Sequence, residues 1–237
     1  MKIAIRGGHS LNLRGASGLI DEVTEDRKVK DIIVKYLKMD GHEVLDVTPT
    51  NSNSSAQDLS FGVSKANRWG ADYFCSIHFN AGGGRGTEVL YYNGSTKGKS
   101  KAEKIASKIA ELGFINRGAK VDTRGLYELR NTKMPANIIE VCFVDSNVDA
   151  ELYRKVGVSN IAKAIAEGII GHEIKEMTDG KIETKDNNDK SKYYTLGFQK
   201  FYNEITKTKA PIAEDSLWGS QTQKAYETLG KLMRGEY

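Results

Sequence analysis

Short apolar runs alternate with helix-period stripes through the first three quarters of this chain, and that alternation allows few architectures. The runs fall at residues 2–6, 43–47, 72–78, 87–92, 126–129 and 137–143. Between them, Val29, Ile32, Ile33, Tyr36 and Leu37 recur at helical spacing and meet a stop at Gly41. Ala102, Ile105, Ile109 and Leu112 form a second stripe closed by Gly113, and Ile161, Ile165 and Ile169 a third before Gly171. A weaker helical pattern covers 56–69. Several strand-like runs are apolar at successive positions (Ile138, Ile139 and Val141, for example), as expected where both faces of a sheet are covered. The pattern predicts an α/β fold: a mostly parallel twisted sheet flanked by helices.

The composition changes after Gly171. Residues 174–191 are almost entirely polar or charged and cannot bury enough surface to offset the entropy of ordering them, so they read as a linker. Apolar and aromatic residues return at Tyr193, Leu196, Phe198, Phe201, Tyr202 and Leu217-Trp218. The expected organisation is a large domain over 1–173, a linker over 174–191 and a small helical module over 192–237. A module of that size is marginal alone and is expected to lean on the first domain or on a partner.

The formal charge of +4 on 237 residues is mild and spread along the chain. It suits an anionic surface such as a cell wall and is too weak to indicate nucleic acid. No run approaches the ~20 apolar residues of a membrane span, so no integral membrane segment is expected. Met1-Lys-Ile-Ala-Ile-Arg6 enters a strand directly, without the apolar stretch of a secretion signal, which predicts synthesis in a cytoplasm. Cys75 and Cys142 lie in apolar runs with no Cys-x-x-Cys partner and read as buried free thiols.

Two of the four histidines stand where a strand gives way to a loop: His9 in Gly7-Gly-His-Ser10, and His78 in Ser76-Ile-His-Phe-Asn-Ala81. In an open parallel sheet, ligands gather outside the carboxyl ends of the strands. Two imidazoles converging there call for a nearby carboxylate to complete a zinc site. Glu22, at the start of the first helix and near its positive end, is the candidate, with Asp21 and Glu25 as alternatives that spacing leaves open. Glu140 stands among Ile138, Ile139, Val141 and Phe143, where burial raises a carboxyl pKa and suits a general base. His42 reads as a turn residue and His172 as a helix-end residue. The Gly82–Gly86 loop lacks the ending of a phosphate-binding loop.

At these residues the chain resembles the zinc-dependent N-acetylmuramoyl-L-alanine amidases of the amidase-3 type, found in bacteria and as phage endolysins. The resemblance covers about 1–172 and rests on blocks in order: Gly7-Gly-His-Ser10, Gly18-Leu-Ile-Asp-Glu22, Ser76-Ile-His-Phe-Asn-Ala81, Gly86-Thr-Glu-Val-Leu-Tyr-Tyr92 and Pro135-Ala-Asn-Ile-Ile-Glu140. It implies Zn2+ held by His9, Glu22 and His78, Glu140 as general base and acid, Asn80 as a substrate contact, and peptidoglycan as the substrate, cut between muramic acid and L-alanine. Asp26 departs from the family, where asparagine is common.

A second resemblance, to three-helix peptidoglycan-binding domains, rests on Leu196-Gly-Phe-Gln-Lys-Phe-Tyr202, Asp215-Ser-Leu-Trp-Gly-Ser-Gln-Thr222 and Ala225. It makes Trp218 a candidate for stacking on sugar or for core packing. The combination implies an endolysin-like enzyme made in a host cytoplasm and acting on the bacterial wall, as a monomer or as a dimer through the small module. Rival readings are a zinc peptidase acting within the stem peptide and a non-catalytic wall-binding protein.

Overall fold

The computed structural model describes residues 1–174 and, beyond them, Gln199, Tyr202, Asn203, Thr222, Lys224, Ala225 and Thr228. The chain divides into two compact units, Met1–Lys175 and Glu176–Tyr237. The first unit contains, in order, β1 (Lys2–Gly7), α1 (Glu22–Met39), β2 (Glu43–Asp46), α2 (Ser55–Trp69), β3 (Tyr73–Asn80), β4 (Thr87–Tyr91), α3 (Thr96–Ala110), β5 (Asn116–Val121), α4 (Tyr127–Asn131), β6 (Ala136–Phe143), α5 (Asn147–Val156) and α6 (Val158–Ile170).

The six strands form one sheet in the order β2-β1-β3-β6-β4-β5. All neighbours are parallel except β4 and β6. From β1 the chain passes through α1 to β2 on one side, then returns through α2 to β3 on the other. The β1–β3 boundary is therefore the point where the winding reverses, and a crevice opens there at the strand ends.

Alternation along the strands sorts the core into two layers. Ile3, Ile5, Tyr73, Cys75, Ile77, Ile139 and Val141 point into one layer, where Val29 and Ile33 of α1, Ile105 and Ile109 of α3, and Ile161 and Ile165 of α6 cover them. Ala4, Phe74 and Ile138 point into the other, beneath Ala66 of α2 and Leu129 of α4. Both cysteines are buried and free. Among the described residues no helix is long and apolar enough to cross a membrane.

Two elements differ from the sequence expectation. The strand expected at 126–129 is the short helix α4, because the Asp122 carboxylate accepts bonds from the backbone N–H groups of Arg124, Gly125 and Leu126 and turns the chain. The sixth strand is instead β5, a sheet edge whose residues are exposed or half-buried, so it carries no apolar run to betray it. The expectation of a mostly parallel sheet with helices on both faces holds.

In the second unit the described residues are helical. Gln199 Nε2 donates to Thr222 Oγ1 at 3.0 Å, and Gln199, Thr222 and Ala225 are buried. Trp218 and most of the polar stretch 174–191 lie outside the described residues.

Candidate active site

The crevice at the β1–β3 boundary collects the predicted side chains. His9 lies two residues beyond β1, and its loop is pinned to β3 by a bond from Gly8 N to Ile77 O at 2.8 Å. His78 lies in β3, and Glu22 opens α1. Asp21 caps that helix by accepting from Thr24 N at 3.1 Å, which brings Glu22 into the first turn, facing the crevice. One donor atom each from His9, Glu22 and His78 lies within 4.8 Å of the others. Glu22 Oε1 is 3.1 Å from His78 Nδ1 and 3.4 Å from His9 Nε2. Its carboxylate is held from behind by two backbone donors, Ala16 N at 2.5 Å and Phe79 N at 3.0 Å. The alternatives to Glu22 are occupied elsewhere: Asp21 pairs with Arg14 at 2.5 Å, and Glu25 accepts from Tyr153 at 2.8 Å and from Lys28 at 2.7 Å.

The donor set fits a zinc ion: two imidazole nitrogens and a carboxylate oxygen, facing one another in a partly dry pocket. Glycines leave room for it. A Cβ on Gly15 would sit 2.1 Å from Glu22 Oε2 and 2.5 Å from His9 Nε2, and one on Gly8 would sit 2.2 Å from His78 Cε1. Electrostatics are strongly mutual. Burial alone would raise the Glu22 pKa, but the bonds to His78 and His9 outweigh it and hold the carboxyl far below the ordinary range. Burial likewise opposes a charged His78, yet the Glu22 carboxylate pushes that imidazole up to about 9.

Glu140 comes from β6, in register with His78 on β3 and with Glu88 on β4. Its Oε2 is buried without a hydrogen-bond partner. Burial, chiefly, and the nearby Glu22 and Glu88 carboxylates push its pKa up to about 7, against the opposing charge of His78. A carboxyl poised there can both accept and donate a proton near neutrality. Glu88 is itself held by Asn80 Nδ2 at 3.0 Å and Arg117 Nε at 2.6 Å. Asn80 therefore lies beside the site with its amide engaged. His9 and His78 also line a cleft of about 290 Å3, together with Leu13, Arg14, Ser55 and Leu59.

His42 and His172 stay away from this cluster. Both flank Asp40, at 3.2 and 3.1 Å, as a turn residue and a helix-end residue would.

Residues 3–171 match the family model Amidase_3, N-acetylmuramoyl-L-alanine amidase. The chain belongs to this family. Among relatives, an uncharacterized protein of Clostridium perfringens (strain 13 / Type A) is 38% identical over 242 residues, covering 100% of this chain and 67% of its own length. The N-acetylmuramoyl-L-alanine amidase CwlM of Bacillus licheniformis is 31% identical over 172 residues, covering 71% of this chain and 67% of that protein. Among solved structures, the catalytic domain of the CD27L endolysin targeting Clostridia Difficile superposes with a TM-score of 0.68 at 33% identity, over 74% of this chain and 99% of that domain. As a member of the amidase family the chain is an enzyme, a hydrolase of the cell-wall lytic group, with the fold of its solved relatives.

Sequence reasoning missed the charged shell behind the cluster. Arg6, Asp58 and Glu128 are buried, and Arg27 is half-buried. Arg6 was open to detection, since a cation closing an apolar strand needs a buried partner. Asp58 and Glu128 sit in short polar contexts that carry no such signal.

Proposed function

We propose that this chain is an endolysin-like peptidoglycan hydrolase that cleaves the amide between N-acetylmuramic acid and L-alanine, with zinc held by His9, Glu22 and His78. The observation that carries this reading is the convergence of those three donors at the winding reversal, with Glu140 in register beside His78. A zinc ion there supplies Lewis acidity, polarising an amide carbonyl and acidifying water.

The protein's own residues do the rest. Glu140, with its pKa near neutrality, removes a proton from the attacking water and returns it to the departing L-alanine nitrogen. Glu22, kept ionised by its neighbours, fixes the orientation of both imidazoles. Asn80 holds Glu88 beside Glu140 and borders the substrate. The cleft beside His9 gives the wall polymer a place to lie.

The same proposal divides the chain into a catalytic domain (1–173), a linker (174–191) and a wall-binding module (192–237). The buried Gln199–Thr222 bond and buried Ala225 support a packed helical module. Tethering of this kind raises the local enzyme concentration on the polymer without new contacts at the site.

Digestion of purified cell wall tests the reading. The expected products are glycan strands with free lactyl carboxyl groups and intact stem peptides that begin with a free L-alanine amine. New amino termini inside the stem peptide would replace this assignment with a zinc peptidase.

A further inference from the structure

The three candidate ligands come from separate segments: the loop after β1, the start of α1, and β3. At Gly8–Ser10 backbone pairing ties that loop to β3, whereas its backbone bond to α1 comes only at Ala16, which accepts from Glu22 N at 3.1 Å. Around His9 itself two guanidinium groups add connections to both. Arg6 has 0% relative exposure. It donates to Gly7 O at 2.8 Å and Gly8 O at 2.7 Å, the two carbonyls before His9. Its other contacts are the Asp58 carboxylate, Asp58 O at 3.0 Å and Glu128 Oε1 at 3.1 Å. Glu128 Oε2 in turn accepts from Ser76 Oγ at 2.7 Å, two residues before His78 on β3. Arg27, five residues past Glu22 on α1, donates to the next carbonyl, His9 O, at 2.5 Å, and to Val23 O at 3.0 Å.

Three consecutive carbonyls, those of Gly7, Gly8 and His9, are thus each held by an arginine, and each arginine reaches a different ligand-bearing segment. Burying a guanidinium with two carboxylates is an expensive way to fill space, since apolar side chains of similar volume stabilise a core at least as well. What the charges supply is direction. A planar fork accepts only one arrangement of its partners. Backbone carbonyls fixed on the rear of the loop set where the His9 Cα–Cβ bond starts and points, while the ring, about a third exposed, can still turn about it. Partners of this kind, one step removed from a metal, set the orientation of its ligands.

We propose that Arg6 and Arg27 are positioning residues that lock the loop carrying His9 against β3 and α1, so that the metal-binding geometry exists before the ion arrives. The proposal rests on the zinc reading for its functional meaning, but the lock itself is a property of the protein.

Arg27→Met, Arg6→Lys and Ser76→Ala test it in the full-length protein. Ile105→Val, in the opposite core layer, serves as a control for lost stability. Two quantities are read: amide hydrogen exchange at Gly8–Ser10 in the chelator-treated protein, and Co2+ affinity by competition with a chromogenic chelator, with the visible cobalt spectrum. Arg27→Met is expected to speed exchange at Gly8–Ser10 and weaken cobalt binding roughly 10–100-fold. Ser76→Ala is expected to have a smaller effect of the same kind, and Ile105→Val neither. Should Arg6→Lys fail to fold, Arg27→Met and Ser76→Ala still decide the matter. Unchanged exchange in both would overturn the lock. Faster exchange with wild-type cobalt affinity and spectrum would overturn its role in positioning ligands. A wild-type protein that takes up no cobalt would sink the zinc reading instead, leaving exchange to decide the lock.

Discussion

Gly15→Ala probes the candidate metal site with one methyl group. Gly15 does not occupy the left-handed region, so alanine is compatible with the backbone there, and the substitution acts through space alone. The added carbon would lie 2.1 Å from Glu22 Oε2, 2.4 Å from His9 Cδ2 and 2.5 Å from His9 Nε2. Each contact is about an ångström or more inside ordinary van der Waals distance, so at least one of these side chains must swing away. Glu22 is the less free to move, because Ala16 N and Phe79 N hold its carboxylate. His9, about a third exposed, is expected to give way. Disturbing the orientation of a metal ligand costs roughly 10–100-fold in metal affinity, which corresponds to about 1.4–2.7 kcal/mol of binding. The chelator-treated variant should melt within a few degrees of wild type, since replacing a loop glycine at a compatible position changes stability by only about 0.4–1 kcal/mol. Zinc affinity, measured by chelator competition, should fall roughly 10–100-fold, and wall lysis at limiting zinc should fall with it. Wild-type affinity in a folded variant would refute the reasoning, because it would mean that the donors meeting at this point are not the ones that hold the ion.

Glu140→Gln should retain zinc yet lose at least 100-fold in wall-lysis rate, because it removes the proton carrier and no donor; near-wild-type turnover would discard Glu140 as the base. The acid limb of kcat/KM should lie at or below about 7, with activity lost as pH falls through it, since Glu140 must be ionised to act and a nearby divalent cation favours that form. In Glu88→Gln the same limb should move to lower pH, because a neighbouring negative charge is gone; a pH–rate profile reads both. His78, with a pKa of about 9, is mostly protonated at pH 7 and must be neutral to bind a metal. Zinc uptake at pH 7 should therefore release about one proton from His78 and up to about half of one more from Glu140, and apparent affinity should rise with pH towards 9. Calorimetry in two buffers of different ionisation enthalpy measures this, and identical heats would count against it.

The alternation of apolar runs and helical stripes carried most of the architecture, because strands buried on both faces must be apolar at successive positions, as at Ile138–Ile139. β5 was illegible for the opposite reason: an edge strand with Arg117 and Lys120 looks like any polar loop. The short helix α4 was misread because Leu126 and Leu129 resemble a strand, whereas the deciding interaction is the reach of the Asp122 carboxylate to three backbone donors. For the site, strand-end histidines and a carboxylate in an apolar run stand out from a single sequence. Spacing alone could not separate Glu22 from Asp21 and Glu25. In the structure Glu22 faces the two histidines, while Asp21 caps at Thr24 and Glu25 bonds to Tyr153. The Arg6 and Arg27 contacts depend on carbonyl directions, which no residue pattern encodes.

The sheet order has a consequence for how such an enzyme wears out. His9, His78 and Glu140 stand on or just beyond β1, β3 and β6, three adjacent strands with a neighbour on each side, while the half-buried β2 and the exposed β5 form the margins. Sheet edges open first and with the least free energy. Heat or denaturant should therefore loosen the margins well before the three central strands separate. Activity should persist through this early fraying and then vanish in a single step, when the middle of the sheet gives way.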